Sequence, residues 1–185
     1  MCLFLLVFPS LVQFYDFAVV SAAQNTTKTF NLAVLDYYDS HQQLPDPFAQ
    51  EETGVHWQKR LCVYFVKQQL AQRQCNEEDE SKPINPNVFL VTDKTGTYAP
   101  SPSKLQLVNH GTIYGVMLVA DLDGVLENSS QKDDCVVSID ELRHAAKSAP
   151  EKMIFTGHCD CTVRYVQCKN LEMLLEGIGE ESIFD

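Results

Sequence analysis

The residues best suited to do chemistry in this sequence are a histidine and two cysteines in the segment Gly157-His158-Cys159-Asp160-Cys161. Imidazole and thiolate are zinc ligands, and closely spaced cysteines can be redox-active. However, zinc sites commonly use cysteines two to four residues apart, and disulfide redox enzymes use Cys-x-x-Cys. On a strand, cysteines spaced as Cys159 and Cys161 point to one face. We therefore predict that they form disulfides with other parts of the chain rather than a metal or redox site.

Motifs of hydrolases and metal sites are absent from the rest of the sequence. None of the five histidines lies in H-E-x-x-H, and no serine lies in G-x-S-x-G. The segment Asp121-Leu122-Asp123-Gly124, with Glu127, lacks the ligand spacing of an EF-hand calcium loop and is typical of a solvated turn. The sequence therefore predicts a protein that is not an enzyme, with no catalytic residue, cofactor or metal ligand.

The N-terminal residues resemble an export signal. Residues 1–23 contain no Lys or Arg and a single acid, Asp16, between apolar runs. They end in Ser21-Ala22-Ala23, and signal peptidase accepts such a small-x-small pattern. We predict that residues 1–23 are a signal peptide and that residues 24–185 form a single extracellular domain. The expected protein is secreted, soluble and without a membrane anchor.

The cysteines and two sequons agree with export. The chain has seven cysteines, of which Cys2 lies in the predicted leader. The remaining even number predicts three disulfides, whose pairing the sequence leaves open. The predicted disulfide cysteines are Cys62, Cys75, Cys135, Cys159, Cys161 and Cys168. Asn25-Thr26-Thr27 and Asn128-Ser129-Ser130 are N-glycosylation sequons, so Asn25 and Asn128 are predicted to carry glycans.

The charge of the chain restricts its partners. The formal net charge is −11, and it is about −10 without the leader. Nucleic acids and anionic membranes need clustered Lys and Arg, so the charge argues against both as partners. Basic proteins or amines are compatible with this charge.

The hydrophobic pattern predicts a mixed order of elements. Strands are predicted over 29–37, 88–92, 152–155 and 162–167, with a hairpin of strands 105–108 and 112–120. Residues 57–75 favour a helix, with a buried strand over 61–66 as the alternative. A capping box at Ser138 predicts a helix that Pro150 ends, and another helix begins near Asn170.

This order favours an α+β fold, stabilised by disulfides, with a mainly antiparallel sheet and two or three short helices. The alternative is an all-β barrel similar to that of lipocalins. Chain length, disulfides and several strands agree with that resemblance, whereas the G-x-W signature near the first strand is missing.

The function predicted from these observations is that of a secreted non-enzymatic interaction protein. It would act as an inhibitor, modulator or ligand of another extracellular protein. The exposed loops 72–86 and 94–103 are the predicted recognition segments, because they are polar and rich in turn residues. The alternative is a secreted carrier of a small or lipidic ligand in an internal pocket.

Overall fold

A computed structural model describes residues 2–42, 45–47, 53–65, 75, 79–92, 116–129, 132–158 and 161–171, with the backbone alone for 2–15, 116 and 117. The α-helices are α1 (Cys2–His41), α2 (Trp57–Arg60) and α3 (Ile139–Ser148). Two 3₁₀ helices span Cys62–Tyr64 and Cys168–Asn170. The strands are β1 (Val88–Thr92), β2 (Val116–Asp121), β3 (Val136–Ser138), β4 (Met153–His158) and β5 (Val163–Gln167).

The strands form one mixed sheet of five, in the order β3-β1-β2-β4-β5. The pairs β1–β2, β2–β4 and β4–β5 are antiparallel, and β1–β3 is parallel. The prediction of an α+β fold with a mainly antiparallel sheet is confirmed. The barrel alternative is wrong, because β3 and β5 lie at opposite edges of an open sheet and helices cover its faces.

Helix α1 is the largest departure from the predicted elements. Residues 29–37 were expected to form a strand but lie inside this helix. With 40 residues, α1 is also longer than the short helices that were expected. Its buried apolar side chains include Phe30, Ala33 and Val34, with Tyr37 half-buried. This spacing of three and four residues places them on one helical face. The apolar residues in 29–37 therefore follow the period of a helix, which the prediction of a strand did not take into account.

The sheet separates two clusters of buried apolar side chains. Alternate residues of β1 and β4 point to opposite faces, as strand geometry requires. Val88, Leu90 and Phe155 pack on the α1 side, together with Trp57. Phe89, Val91, Ile154 and Leu142 of α3 pack on the other side.

The most reliable sequence signals were those of capping and strand alternation. The capping box at Ser138 is present, with Glu141 N–H donating to its hydroxyl at 3.2 Å, and the strands over 88–92 and in β4 and β5 are confirmed. Of the helix expected over 57–75, the described residues show α2, which ends at Arg60, followed by a 3₁₀ helix at Cys62–Tyr64. The alternative strand over 61–66 is wrong because of that 3₁₀ helix.

Parts of three predicted elements lie outside the described residues. These are residues 66–74 of the central segment, the turn and first strand of the hairpin, and the continuation of the last helix beyond Leu171. Of the helices that the structure describes, none is both long and apolar enough to cross a membrane.

Candidate interaction surface

Two of the predicted disulfide cysteines are bonded to each other. Cys62 and Cys75 form a disulfide, with their Cα atoms 5.7 Å apart and a separation of 13 positions in sequence. Cys62 opens the first 3₁₀ helix, so the crosslink restrains the short segment that follows α2. Closing such a loop stabilises the fold mainly by restricting the unfolded chain.

Cys135 and Cys168 were both predicted to form disulfides, but in this structure they are thiols. Cys135 lies in the cluster on the α1 side of the sheet, and Cys168 lies in the cluster on the α3 side, so the sheet separates them. Burial raises the pKa of the Cys135 thiol to about 12, assisted by Asp134 and Asp133. Burial likewise raises the pKa of Cys168 to about 11. Both therefore act as small apolar side chains, because reactivity requires the thiolate.

The Gly157–Cys161 segment covers the last two residues of β4 and residues between β4 and β5. His158 N–H donates to the Thr162 carbonyl at 2.9 Å, and Cys161 N–H donates to the His158 carbonyl at 3.1 Å. The buried His158 ring lies with its Nε2 atom 2.9 Å from Thr156 Oγ1. Cys159 and Asp160 lie outside the described residues, and Cys161 is exposed.

The tip of this hairpin is attached to α1 by a buried side chain. Asn31 Nδ2 donates to the His158 carbonyl at 2.9 Å. Gly157 makes room for this contact, since a Cβ atom there would stand 2.8 Å from Asn31 Oδ1. The described residues contain no group of three His, Cys, Asp or Glu that could hold a metal ion. The hydrogen bond from Asn31 holds the end of β4 against α1, which also contacts the edge strand β5.

Both sequon asparagines are at the surface. Asn25 is exposed on α1, and Asn128 is exposed in the turn after β2. Of the two predicted recognition loops, residues 94–103 lie outside the described residues. The described part of the other is Cys75 and residues 79–86, which have a surface ion pair between Lys82 and Asp79 at 3.0 Å.

An aromatic surface that the sequence did not reveal lies where α1 meets the first 3₁₀ helix. It consists of Tyr37, His41 and Tyr64, together with Val63, which precedes Tyr64 in the 3₁₀ helix. The Tyr37 and His41 rings stack with centroids 4.1 Å apart, and Tyr64 meets the Tyr37 ring edge-on at 5.9 Å. His41 Nδ1 donates to the Tyr37 carbonyl at 3.0 Å and lies 3.4 Å from the Tyr64 hydroxyl. The three rings therefore restrain one another.

The aromatic surface is accessible to a partner. Val63 is 68% exposed, Tyr37 and Tyr64 are half-exposed, and His41 is exposed. Aromatic side chains held in place at a surface bind with little loss of conformational entropy. Val63, next to Tyr64 in sequence, adds exposed apolar area that a partner can bury.

Negative charge lies in the same two turns of α1 as Tyr37 and His41. Asp36 and Asp39 are exposed in the last two turns of α1, and in the described part of the chain neither forms an ion pair. The C-terminal end of a helix carries partial negative charge on its last carbonyl groups, and α1 ends at His41. Both contributions place negative charge at the C-terminal end of α1, where it attracts cationic groups.

A buried aromatic platform supports the aromatic surface. Phe30 of α1 meets Trp57 of α2 edge-on at 6.5 Å and Phe65 at 5.1 Å. Trp57 Nε1 donates to the Asp134 carbonyl at 3.0 Å, which fixes α2 against the segment before β3. Phe65 directly follows Tyr64, so these contacts hold the 3₁₀ helix against α1.

Comparison with known proteins gives no assignment for this chain: no protein-family model, no curated protein and no solved structure matches it.

Proposed function

We propose that this protein is a secreted, non-enzymatic interaction protein that binds another extracellular protein through the aromatic surface. The observation that carries the proposal is the preassembled group of Tyr37, His41 and Tyr64 beside the exposed Val63. Tyrosines are enriched among the residues that dominate binding energy at protein interfaces. The group stands on a crosslinked segment and a packed helix, so binding does not require the surface to be ordered first.

The partner segment is proposed to be basic. The faces of aromatic rings attract Arg and Lys side chains, and each such contact contributes about 0.5–1 kcal/mol at an exposed site. Asp36, Asp39 and the end of α1 carry negative charge near the C-terminus of that helix, and the net charge of about −10 without the leader steers a basic partner towards the protein. An arginine-containing loop or tail of an extracellular protein fits these properties.

Secretion is supported by the composition of residues 1–23 and by the Cys62–Cys75 disulfide, because disulfides persist in oxidising compartments. The surface exposure of Asn25 and Asn128 is compatible with glycans at both positions.

The proposal predicts that Tyr64→Ala weakens partner binding by at least tenfold, because it removes one ring and loosens the stack on Tyr37. The partner is first identified by cross-linking the secreted protein in extracellular fluid, followed by mass spectrometry. Affinity is then measured by surface plasmon resonance for the wild type and the variant. Binding by the wild type should weaken as salt is raised, because the attraction is partly electrostatic.

Tyr165→Ala is the matched control, since Tyr165 is a 43% exposed tyrosine on β5 whose ring stacks on Phe155. It should leave the affinity within about twofold, the usual effect of a residue outside the binding centre. Unchanged affinity of Tyr64→Ala, or a loss with Tyr165→Ala alone, would show that the partner binds elsewhere.

A further inference from the structure

A surface pocket of about 400 Å³ lies between α3 and the turn that follows β2. Its apolar lining comes from Val125 and Leu126 of the turn and Ala145 of α3. Asp140, His144 and Ser148 also line it; they are exposed and spaced four residues apart on one face of α3. Sites for small molecules have this size, about 300–1,000 Å³, and this combination of apolar lining with a few polar groups.

Asn128, the asparagine of the second sequon, lines the same pocket. We propose that the pocket is the docking site of the glycan carried by Asn128, with the first N-acetylglucosamine seated against Val125 and Ala145. The inference rests on the secretory part of the proposed function, because N-glycans are added on that route. It does not depend on the aromatic surface.

The turn holds the attachment point in a fixed position. The Asp121 carboxylate accepts hydrogen bonds from Val125 N–H at 2.8 Å and from Leu126 N–H at 2.6 Å. Leu126 is buried in the cluster beneath α3, and Ser129 N–H donates to its carbonyl at 3.0 Å. The exposed side chain of Asn128 therefore leaves an anchored turn directly beside the pocket, so the first sugar pays little entropy to settle there.

The chemistry of the pocket matches a sugar ring. A pyranose presents C–H groups on its faces and hydroxyl groups around its edge. The apolar side chains can pack against the face, while the Asp140 carboxylate accepts hydroxyl hydrogen bonds and His144 donates or accepts them. Ser148 Oγ already donates to the His144 carbonyl at 2.9 Å and remains an acceptor.

The test uses the full chain expressed in a glycosylating secretory host, in three forms. The glycan is intact, trimmed enzymatically to a single N-acetylglucosamine, or removed completely from the folded protein. Hydrogen exchange of residues 142–148 is expected to be equally slow in the first two forms and about fivefold faster in the third. In the trimmed form, nuclear Overhauser contacts should join the acetamido methyl group to the Val125 and Ala145 methyl groups.

The Asn25→Gln variant is the matched control, because it removes the other sequon and leaves the pocket unchanged. It should not alter exchange in α3. A trimmed glycan without contacts to the pocket, or exchange that is indifferent to its removal, would overturn the inference while leaving secretion standing. An unmodified Asn128, or a retained small molecule in the pocket, would also overturn it. An unmodified Asn128 together with an unmodified Asn25 would count against the secretory route itself.

Discussion

Acidification from pH 7 to pH 4 is expected to lower the free energy of unfolding of this protein by about 3 kcal/mol through one residue, His56. The His56 side chain is fully buried, and its Nδ1 accepts a hydrogen bond from Gln58 N–H at 3.2 Å, which caps α2. Burial lowers its pKa from 6.5 to about 4, and the nearby Lys59 and Arg60 lower it further, against a raising effect of the Asp134 carbonyl.

The loss of stability on acidification follows from the fact that the unfolded chain binds the proton at a higher pH than the folded chain does. Between pH 6.5 and pH 4 the unfolded chain protonates His56 while the folded chain keeps it neutral. The contribution of His56 to stability is therefore complete above pH 6.5, declines as the pH falls, and is lost near pH 4. Asp79, whose pKa is lowered to about 2 by Ser81 and Lys82, affects stability only below its ordinary value of 3.8.

Urea unfolding at a series of pH values measures this effect. His56→Asn is the informative variant, because an asparagine oxygen can cap Gln58 N–H and does not titrate. Between pH 6.5 and pH 4, the free energy of unfolding of the wild type should fall by about 3 kcal/mol more than that of the variant. His144→Asn removes an exposed histidine and should keep the wild-type profile. Equal pH profiles for the wild type and His56→Asn would contradict the assignment.

Trp57→Ala is expected to destabilise the fold by about 3–5 kcal/mol, because it deletes a completely buried indole and opens a cavity. The variant also loses the hydrogen bond from Nε1 to the Asp134 carbonyl and the edge-on contact with Phe30. Trp57 is the single tryptophan of the chain, so unfolding must be followed by circular dichroism rather than by its fluorescence.

Trp57→Phe separates packing from hydrogen bonding. It keeps an aromatic ring beside Phe30 but cannot donate to Asp134, so a loss of about 1–3 kcal/mol is expected. If Trp57→Ala cost no more than Trp57→Phe, the buried aromatic platform would not be a significant source of stability. Both variants should leave the Cys62–Cys75 disulfide oxidised, as peptide mass mapping would show.

The sequence correctly predicted the elements that depend on contacts between residues close together in the chain. The capping box at Ser138 works through hydrogen bonds within four residues, and β1 and β4 follow from their apolar β-formers. Helix α1 was missed from residue 29 onward, because its apolar run contains β-branched and aromatic residues that also suit a strand. Contacts of Phe30 and Val34 with distant parts of the chain decide in favour of the helix.

Because residues 29–37 were assigned to a strand, the aromatic surface could not be predicted from the sequence. Tyr37 and His41 are neighbours only on a helix, where a spacing of four residues brings their rings together. With Tyr37 in a strand and His41 in a loop, no pattern connected them to Tyr64, which lies 23 residues beyond His41. Likewise, counting cysteines could not show that Cys135 and Cys168 lie on opposite faces of the sheet.

The central claim, that a partner binds the aromatic surface, is tested most directly by photo-cross-linking from within it. A benzophenone amino acid is placed at Val63 in one protein and at Leu32, 38% exposed on α1, in another. Illumination in extracellular fluid should join the first protein to a single partner through a peptide rich in Arg or Lys, and an excess of unlabelled protein should compete. The protein labelled at Leu32 should give little of that product. Efficient cross-linking from Leu32 but none from Val63, or a captured peptide without basic residues, would contradict the account.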